Sequence, residues 1–240
     1  QAHSGTHIVH AALRQVLGAN AHQAGSYNKA GYLRLDFTHS EALSTETKSE
    51  IEEISNLAIR ADHEVFTREM SLDDAKTLGA MALFGEKYGD RVRVVDIGGP
   101  WSRELCAGTH VGSSAEIGMI SLVSESSVGS TNRRVESLVG IEAFRNFAAE
   151  RAIVQQLTSG LKVPRLELVQ RVQDLSAQLK SAEKKIAQLE AAKLSERIPE
   201  LLAQAERLGD LKVVLGSLGT VGSPDDVRQL AQQVRERFGN

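Results

Sequence analysis

Four side chains able to hold a soft metal ion fall into two short blocks with the same spacing. His3 and His7 lie in "HSGTH", Cys106 and His110 in "CAGTH". On a helix, residues four apart share a face with their Cβ atoms about 5–6 Å apart, close enough for both to reach one ion. Imidazole and thiolate are the donors that tetrahedral zinc prefers, so the two pairs together suit Zn2+. The glycine in each block lets the backbone turn closely around an ion. Spacing alone leaves a second reading open. An HxxxH pair also arises by chance, and a lone cysteine is commonly a small buried apolar residue. His10 falls near the same helical face and is read as a core residue bonded to backbone, with metal ligand or outer partner as its alternatives. His22, His39 and His63 have no partner at metal spacing and read as surface or turn residues.

The elements that must position these groups have an α+β texture. "HIVHAALRQVL" (7–17) has helical spacing, whereas "GYLRLDFT" (31–38) alternates like a half-buried strand. Residues 42–61 read as a helix, with Thr47 and Glu50 at capping-box spacing and Ile51, Ile54 and Ala58 as its apolar stripe. "HEVFTREM" (63–70) and "RVRVVDIG" (91–98) read as strands, separated by a helix that Ser71 and Asp74 cap; "IGMISLVSE" and "RRVESLVG" supply further strands. Because helices and strands do not alternate strictly, a domain over 1–150 with a mixed or antiparallel sheet and packed helices is expected.

From about 141 to 208 the pattern turns helical, and residues 151–208 are expected to form a helical linker. Val172, Leu175, Leu179, Ala182, Ile186 and Leu189 follow the 4-3 spacing of a coiled-coil or helical-hairpin seam. Pro199 predicts a kink or a turn into a second helix, with the apolar run resuming at Ile198, Leu201, Ala205 and Leu208. In residues 209–240, "LKVVLGSL" reads as a strand. The helix after it carries Ser223 as N-cap, Pro224 at its first position, acids in its first turn, arginines in its last and Gly239 beyond its end. One strand and one helix do not bury a core, so this tail is expected to be the start of a further domain, and Gln1 to be a cut rather than a natural start.

The 240 residues are 41% hydrophobic and 25% charged, with a net charge of −3, so nucleic-acid binding requires a local basic patch rather than an overall positive charge. No apolar run is long enough to span a bilayer, and no aromatic residue marks the apolar helical face as a membrane surface. A single cysteine rules out an intramolecular disulfide, which removes any dependence on an oxidising compartment.

The residues around the two blocks carry a family resemblance. "HSGTHIVHAALRQVLG", "HQAGS" and "LRLDF", followed by "SRELCAGTHVGSSAEIG" and "NRRVESLVG", resemble the editing domain of alanyl-tRNA synthetase and its free-standing relatives, over roughly 1–150. The helical segment and the tail resemble the region C-terminal to that domain in the family, where a C-terminal domain binds tRNA. Neither the aminoacylation domain that stands upstream in the family nor the glycine-rich part of the C-terminal domain is found in the sequence. The resemblance implies that His3, His7, Cys106 and His110 ligate Zn2+, and that the reaction is deacylation of tRNA(Ala) carrying serine or glycine. It matches Thr6 to a residue that senses the serine hydroxyl and Gln23 to one lining the same pocket, and it places Cys106 in the reacting site. Two departures stand out. Ala107 replaces a glycine of the usual CGGTH, a change compatible with a negative φ. The acid often found ahead of the Ser-x-Glu-Leu-Cys run is also missing from "GGPWSRELC", so no role transfers to it.

Such editing solves a discrimination problem, because an apolar pocket rejects one added hydroxyl weakly. A threonine interior to a helix also commonly bonds its own i−4 carbonyl, which competes with the sensing role of Thr6. No general base stands out: Glu104 is near the blocks in sequence, but a strand carboxylate facing solvent explains it as well. For the tRNA, Arg133 and Arg134 are the leading cations, with Lys29, Arg34 and Arg103 beside them. As neighbours on a strand, the first two face opposite sides. A cytoplasmic protein is expected, with a homodimer through the helical or C-terminal segments as a further partner. Two alternatives to a synthetase fragment are a free-standing trans-editing deacylase and a non-catalytic module with structural zinc and a coiled coil.

Overall fold

A computed structural model describes residues 1–82, 88–219, 221–222 and 224–238. The chain forms two compact units, 1–153 and 154–240. The first contains α1 (Ala2–Leu17), β1 (Gln23–Lys29), β2 (Tyr32–Thr38), α2 (Thr45–Arg60), β3 (Val65–Ser71), α3 (Leu72–Thr77), β4 (Arg91–Ile97), β5 (Ser102–Leu105), β6 (Ile120–Val128) and β7 (Asn132–Val139). The helix α4 (Ile141–Leu161) continues through the boundary. Two antiparallel sheets result, of order β1-β2-β7-β6 and β3-β4-β5. No helix among the described residues is long and apolar enough to cross a membrane.

The core follows from the alternation in β2. Leu33, Leu35 and Phe37 are fully buried, and they meet Ile8, Val9, Ala12 and Leu13 of α1, Ile51 of α2 and Val135 and Val139 of β7. Each such large side chain contributes about 1.5–3 kcal/mol. Gly5 lets α1 lie close to the sheet, since a Cβ there would stand 3.2 Å from Leu33 Cδ2. Side chains of α2 finish the exposed edge of β6. Asn56 Nδ2 donates to the Ile120 carbonyl at 2.8 Å, its Oδ1 accepts the Ile120 N–H at 3.0 Å, and Glu52 accepts the Leu122 N–H at 2.6 Å. These bonds occupy ladder groups that an open edge leaves unpaired.

Several boundaries differ from the sequence expectation. The cap of α2 is Ser44, whose hydroxyl accepts the Thr47 N–H at 3.1 Å, so Thr47 is inside the helix rather than before it. The α3 cap is as read, with Ser71 accepting the Asp74 N–H. β1 goes beyond that expectation; it has no long alternating apolar run and is held by its pairing with β2. The helical stretch is broken after α4, where Lys162 adopts φ 53° and Pro164 follows, a left-handed stop and a residue that cannot continue the ladder.

The second unit holds α5 (Leu168–Ser195), α6 (Ile198–Ala203), the antiparallel pair β8 (Glu206–Leu208) and β9 (Leu211–Val213), and α7 (Pro224–Arg237). Pro199 stands in the first turn of α6, just past the end of α5, where a missing N–H costs nothing. Leu208, expected on the helical stripe, ends β8 instead, because the turn at Gly209 (φ 63°) folds β9 back on it. A small core of Ile198, Leu201 and Leu230, joined by Leu202, Val214, Leu218 and Val234, gives the tail more to bury than one strand and one helix suggested. Pro224 begins α7 as read, with Asp225 and Asp226 in its first turn and Arg235 and Arg237 in its last. The expected caps Ser223 and Gly239 lie outside the described residues. The seam of α5 is uncovered: Val172, Leu179, Ile186 and Leu189 are all exposed.

Candidate metal centre

α1 is an unusual helix to bury. Its first three turns carry Ser4, Gly5, Thr6, His7 and His10, all inaccessible to solvent or nearly so. Buried polar groups persist where they find partners, and the partners come from the segment that begins with β5. That strand ends at Leu105, and the loop after it returns Cys106 and His110 over the first turns of α1. His3, His7, Cys106 and His110 each offer one ligand atom, and these atoms all lie within 4.8 Å of one another. The three imidazole centroids are 4.6–5.4 Å apart. His3 Nε2 stands 3.3 Å from Cys106 Sγ, close to the roughly 3.4–3.8 Å separation that ligands at zinc-bond lengths take around a tetrahedron.

The atoms turned away from the cluster are held. Ser4 Oγ accepts the Val111 N–H at 3.2 Å and lies 3.2 Å from His110 Nδ1, so it can take the Nδ1–H and leave Nε2 with its lone pair. That Nε2 is buried and has no hydrogen-bond partner, an orphaned ring nitrogen beside a thiol and two more imidazoles. His7 Nδ1 lies 2.8 Å from Glu104 Oε2. These donors fit a tetrahedral, thiolate-accepting cation.

Room for the rings comes from Gly108. A Cβ there would fall 1.8 Å from His3 Cε1, so its function is space rather than a special turn, and its φ is not positive. Ala107 also avoids positive φ, the condition under which alanine is tolerated there. Arg93 Nη1 donates to the Gly108 carbonyl and braces the loop.

Electrostatics favour a thiolate at Cys106 and a neutral His110, while His7 holds a proton that metal binding would displace. Burial pushes the Cys106 thiol up, but the surrounding His110, His3 and His7 outweigh it and bring it down to about 3, which favours a thiolate among the imidazoles. Burial likewise disfavours a charged His7, yet the Glu104 carboxylate beside it, with Cys106, pushes it up to about 10. Desolvation leads in lowering His110. Glu104 is held well below the usual carboxylate range, its burial overcome by His7 and His10.

Glu104 is the clearest correction to the sequence reading. It does not face solvent: it is 2% exposed, and its Oε1 lies 2.8 Å from His10 Nδ1. A strand pattern assigns it to one face, but no local signal shows that α1 covers that face. His10 is fully buried, and its Nε2 donates to the Ala21 carbonyl at 3.0 Å, the backbone bond expected of it, in addition to its contact with Glu104.

The other candidate residues divide. Thr6 is buried, with Oγ1 3.1 Å from the Ala2 carbonyl, the i−4 bond anticipated as its structural role, and 2.7 Å from Asn28 Oδ1 on β1. Gln23 is half-buried and donates to Ser26 Oγ at 3.2 Å. A cavity of about 470 Å³ opens beside the cluster, lined by His3, Ser26, Arg91, Arg93, Cys106 and Gly108; Thr6 and Gln23 are not on its wall. Arg133 is paired with Glu125, and Arg134 is bidentate on Asp36 at 2.6 and 2.8 Å. Arg103 binds Asp96 at 2.5 Å, Arg34 is 4.0 Å from Asp36, and Lys29 sits 5.0 Å over the Tyr32 ring. Arg91, which the sequence reading passed over, lines the cavity and forms no ion pair among the described residues.

Known proteins resemble the chain over these elements. Positions 92–136, from β4 through most of β7 and including Cys106 and His110, match the threonyl and alanyl tRNA synthetase second additional domain. All 240 residues align with alanine–tRNA ligases: 67% identical to that of Clavibacter michiganensis subsp. michiganensis, 67% to that of Leifsonia xyli subsp. xyli and 50% to that of Corynebacterium jeikeium. The chain spans 27% of the length of each of these relatives. Along its whole length, then, the chain is related to a segment of the alanyl-tRNA synthetases, the segment that carries their second additional domain.

Proposed function

We propose that this chain is the editing part of an alanyl-tRNA synthetase and hydrolyses the ester that joins serine or glycine to the terminal ribose of tRNA(Ala). The observation that carries this reading is the convergence of His3, His7, Cys106 and His110 beside a cavity, in a chain related throughout to alanine–tRNA ligases. The four side chains are assigned to Zn2+. A zinc ion in such a site supplies Lewis acidity where it keeps an exchangeable position, and otherwise fixes the shape of the pocket.

The remaining roles belong to the protein. Thr6 is assigned to the serine hydroxyl. Its own hydrogen goes to Asn28 or to the Ala2 carbonyl, which leaves a lone pair for the serine hydroxyl; because Thr6 is buried and off the cavity wall, this role requires the pocket to open toward α1. That selects serine by a bond that alanine lacks, the kind of contact that discriminates better than an apolar pocket. Gln23 and Ser26 form a polar pair on β1, with Ser26 on the cavity wall. Arg91 is the cation best placed for the terminal phosphates, since Arg133 and Arg134 are engaged by carboxylates.

The test is single-turnover hydrolysis of Ser-tRNA(Ala), Gly-tRNA(Ala) and Ala-tRNA(Ala) by the zinc-loaded chain. Ser-tRNA(Ala) is expected to be cleaved at least about tenfold faster than Ala-tRNA(Ala), with Thr6→Val reducing that serine preference and leaving the Gly-tRNA(Ala) rate unchanged. A folded, zinc-loaded chain that cleaves none of them overturns the reading and favours a structural zinc module.

A further inference from the structure

The two residues behind the metal cluster form a connected layer. Glu104 is buried at the end of β5 and offers one oxygen to each of two histidines on α1. Its Oε1 lies 2.8 Å from His10 Nδ1 and its Oε2 lies 2.8 Å from His7 Nδ1. The second contact is at ion-pair distance but outside hydrogen-bond alignment, and neither of its two atoms is hydrogen-bonded to anything else. His10 is pinned at its other end, because Nε2 meets the Ala21 carbonyl at 3.0 Å. A carbonyl only accepts, so Nε2 carries the hydrogen and the ring cannot flip without orphaning that bond. Both histidines and the carboxylate are 5% exposed or less, which leaves no water to substitute for a lost partner.

We propose that Glu104 and His10 are the positioning residues of the metal centre: Glu104 holds His7 Nδ1–H so that Nε2 is the metal-binding nitrogen, and His10 fixes Glu104. The inference rests on the four-ligand site but not on the editing reaction. Outer partners of this kind fix the tautomer and orientation of a ligating imidazole, and their loss costs about 10–100-fold in metal affinity. The layer also explains why His10 is histidine. A leucine would fill the space but leave one Glu104 oxygen and the Ala21 carbonyl without donors.

The chemistry of the layer sets two variants apart. In Glu104→Gln the amide oxygen can accept from His7 Nδ1–H, while the amide NH2 donates to Nδ1 of a His10 that keeps its Nε2–H on Ala21. Both contacts can be kept, so affinity is expected within about fivefold of wild type, whereas Glu104→Ala removes them and is expected to lose about 10–100-fold. Metal affinity is read by competition between the full chain and a chelator, using cobalt(II) as probe.

A measurement on the unsubstituted chain guards against variants that fail to fold. With 15N-labelled histidine and cadmium-113 as probe, His7 is expected to show Nδ1 protonated and Nε2 coupled to the metal. Coupling at His7 Nδ1, or equal affinities for wild type and a folded Glu104→Ala, overturns the proposal. Failure of cadmium to bind overturns the metal site and the layer together. Loss of tRNA hydrolysis with His7 Nε2 still coupled would discard the editing reading and leave the layer standing.

Discussion

α1 and α5 invert the usual relation between composition and burial. α1 carries three histidines, a serine, a threonine and a glycine in its first three turns, yet almost all of it is buried. α5 carries a regular apolar seam, yet Leu179 and Leu189 are each 61% exposed. The difference lies in partners. Several polar groups of α1 meet a matching group from β1 or from the segment of β5 and its loop: Thr6 with Asn28, Ser4 with Val111 and His110, His10 with Glu104. Satisfied in this way, the polar groups lose little on burial, and the apolar face of the same helix fills the core. The α5 seam has the right period, but nothing described in its unit covers it. Periodicity thus reports what a helix could bury, and tertiary partners decide what it does bury.

Substitutions can break or sharpen this contrast. The largest difference is expected between two leucines. Leu13→Ala, in the fully buried face of α1, should lower stability by about 2–5 kcal/mol, while Leu179→Ala in α5 should change it by less than about 0.5 kcal/mol, both read by urea denaturation. Equal losses would mean that the α5 seam is packed in solution. Next comes Gly108→Ala. With its Cβ inside the His3 ring position, it should weaken metal binding about 10–100-fold, comparable to losing an outer partner, while the fold persists by circular dichroism. Unchanged affinity would remove His3 from the ligand set.

The smallest effect concerns pH. With Cys106 brought down to about 3 by its histidines, the thiolate persists as pH falls from about 8 to about 5. Alkylation of Cys106 in the metal-free chain should therefore be nearly flat over that range, whereas in urea the rate should fall about tenfold per pH unit. A native rate that falls as steeply as the unfolded one would show that the imidazoles do not hold the thiolate.

Much of the site was legible because metal chemistry restricts residue types and spacing. HxxxH and CxxxH name four side chains, and the fold brings those four together. The layer behind them was not legible. Glu104 is 94 residues from His10, and its contact depends on how β5 packs on α1. The pairing of the arginines was not legible either, for a related reason: cross-strand neighbours on β2 and β6 supply the carboxylates of Asp36 and Glu125. In the fold, strong alternation in β2 and clear caps such as Ser71 were readable. β1, with Gly25, Ser26 and Asn28, owes its strand character to pairing with β2 rather than to its own residues.

The central claim is that four side chains from two distant segments bind one ion. Titrating the metal-free chain with cobalt(II) tests it most directly. Saturation is expected at one equivalent, with a thiolate-to-cobalt charge-transfer band that disappears in Cys106→Ser and weakens in His7→Ala. A chain that takes up no cobalt, or whose spectrum is the same after Cys106→Ser, would contradict it.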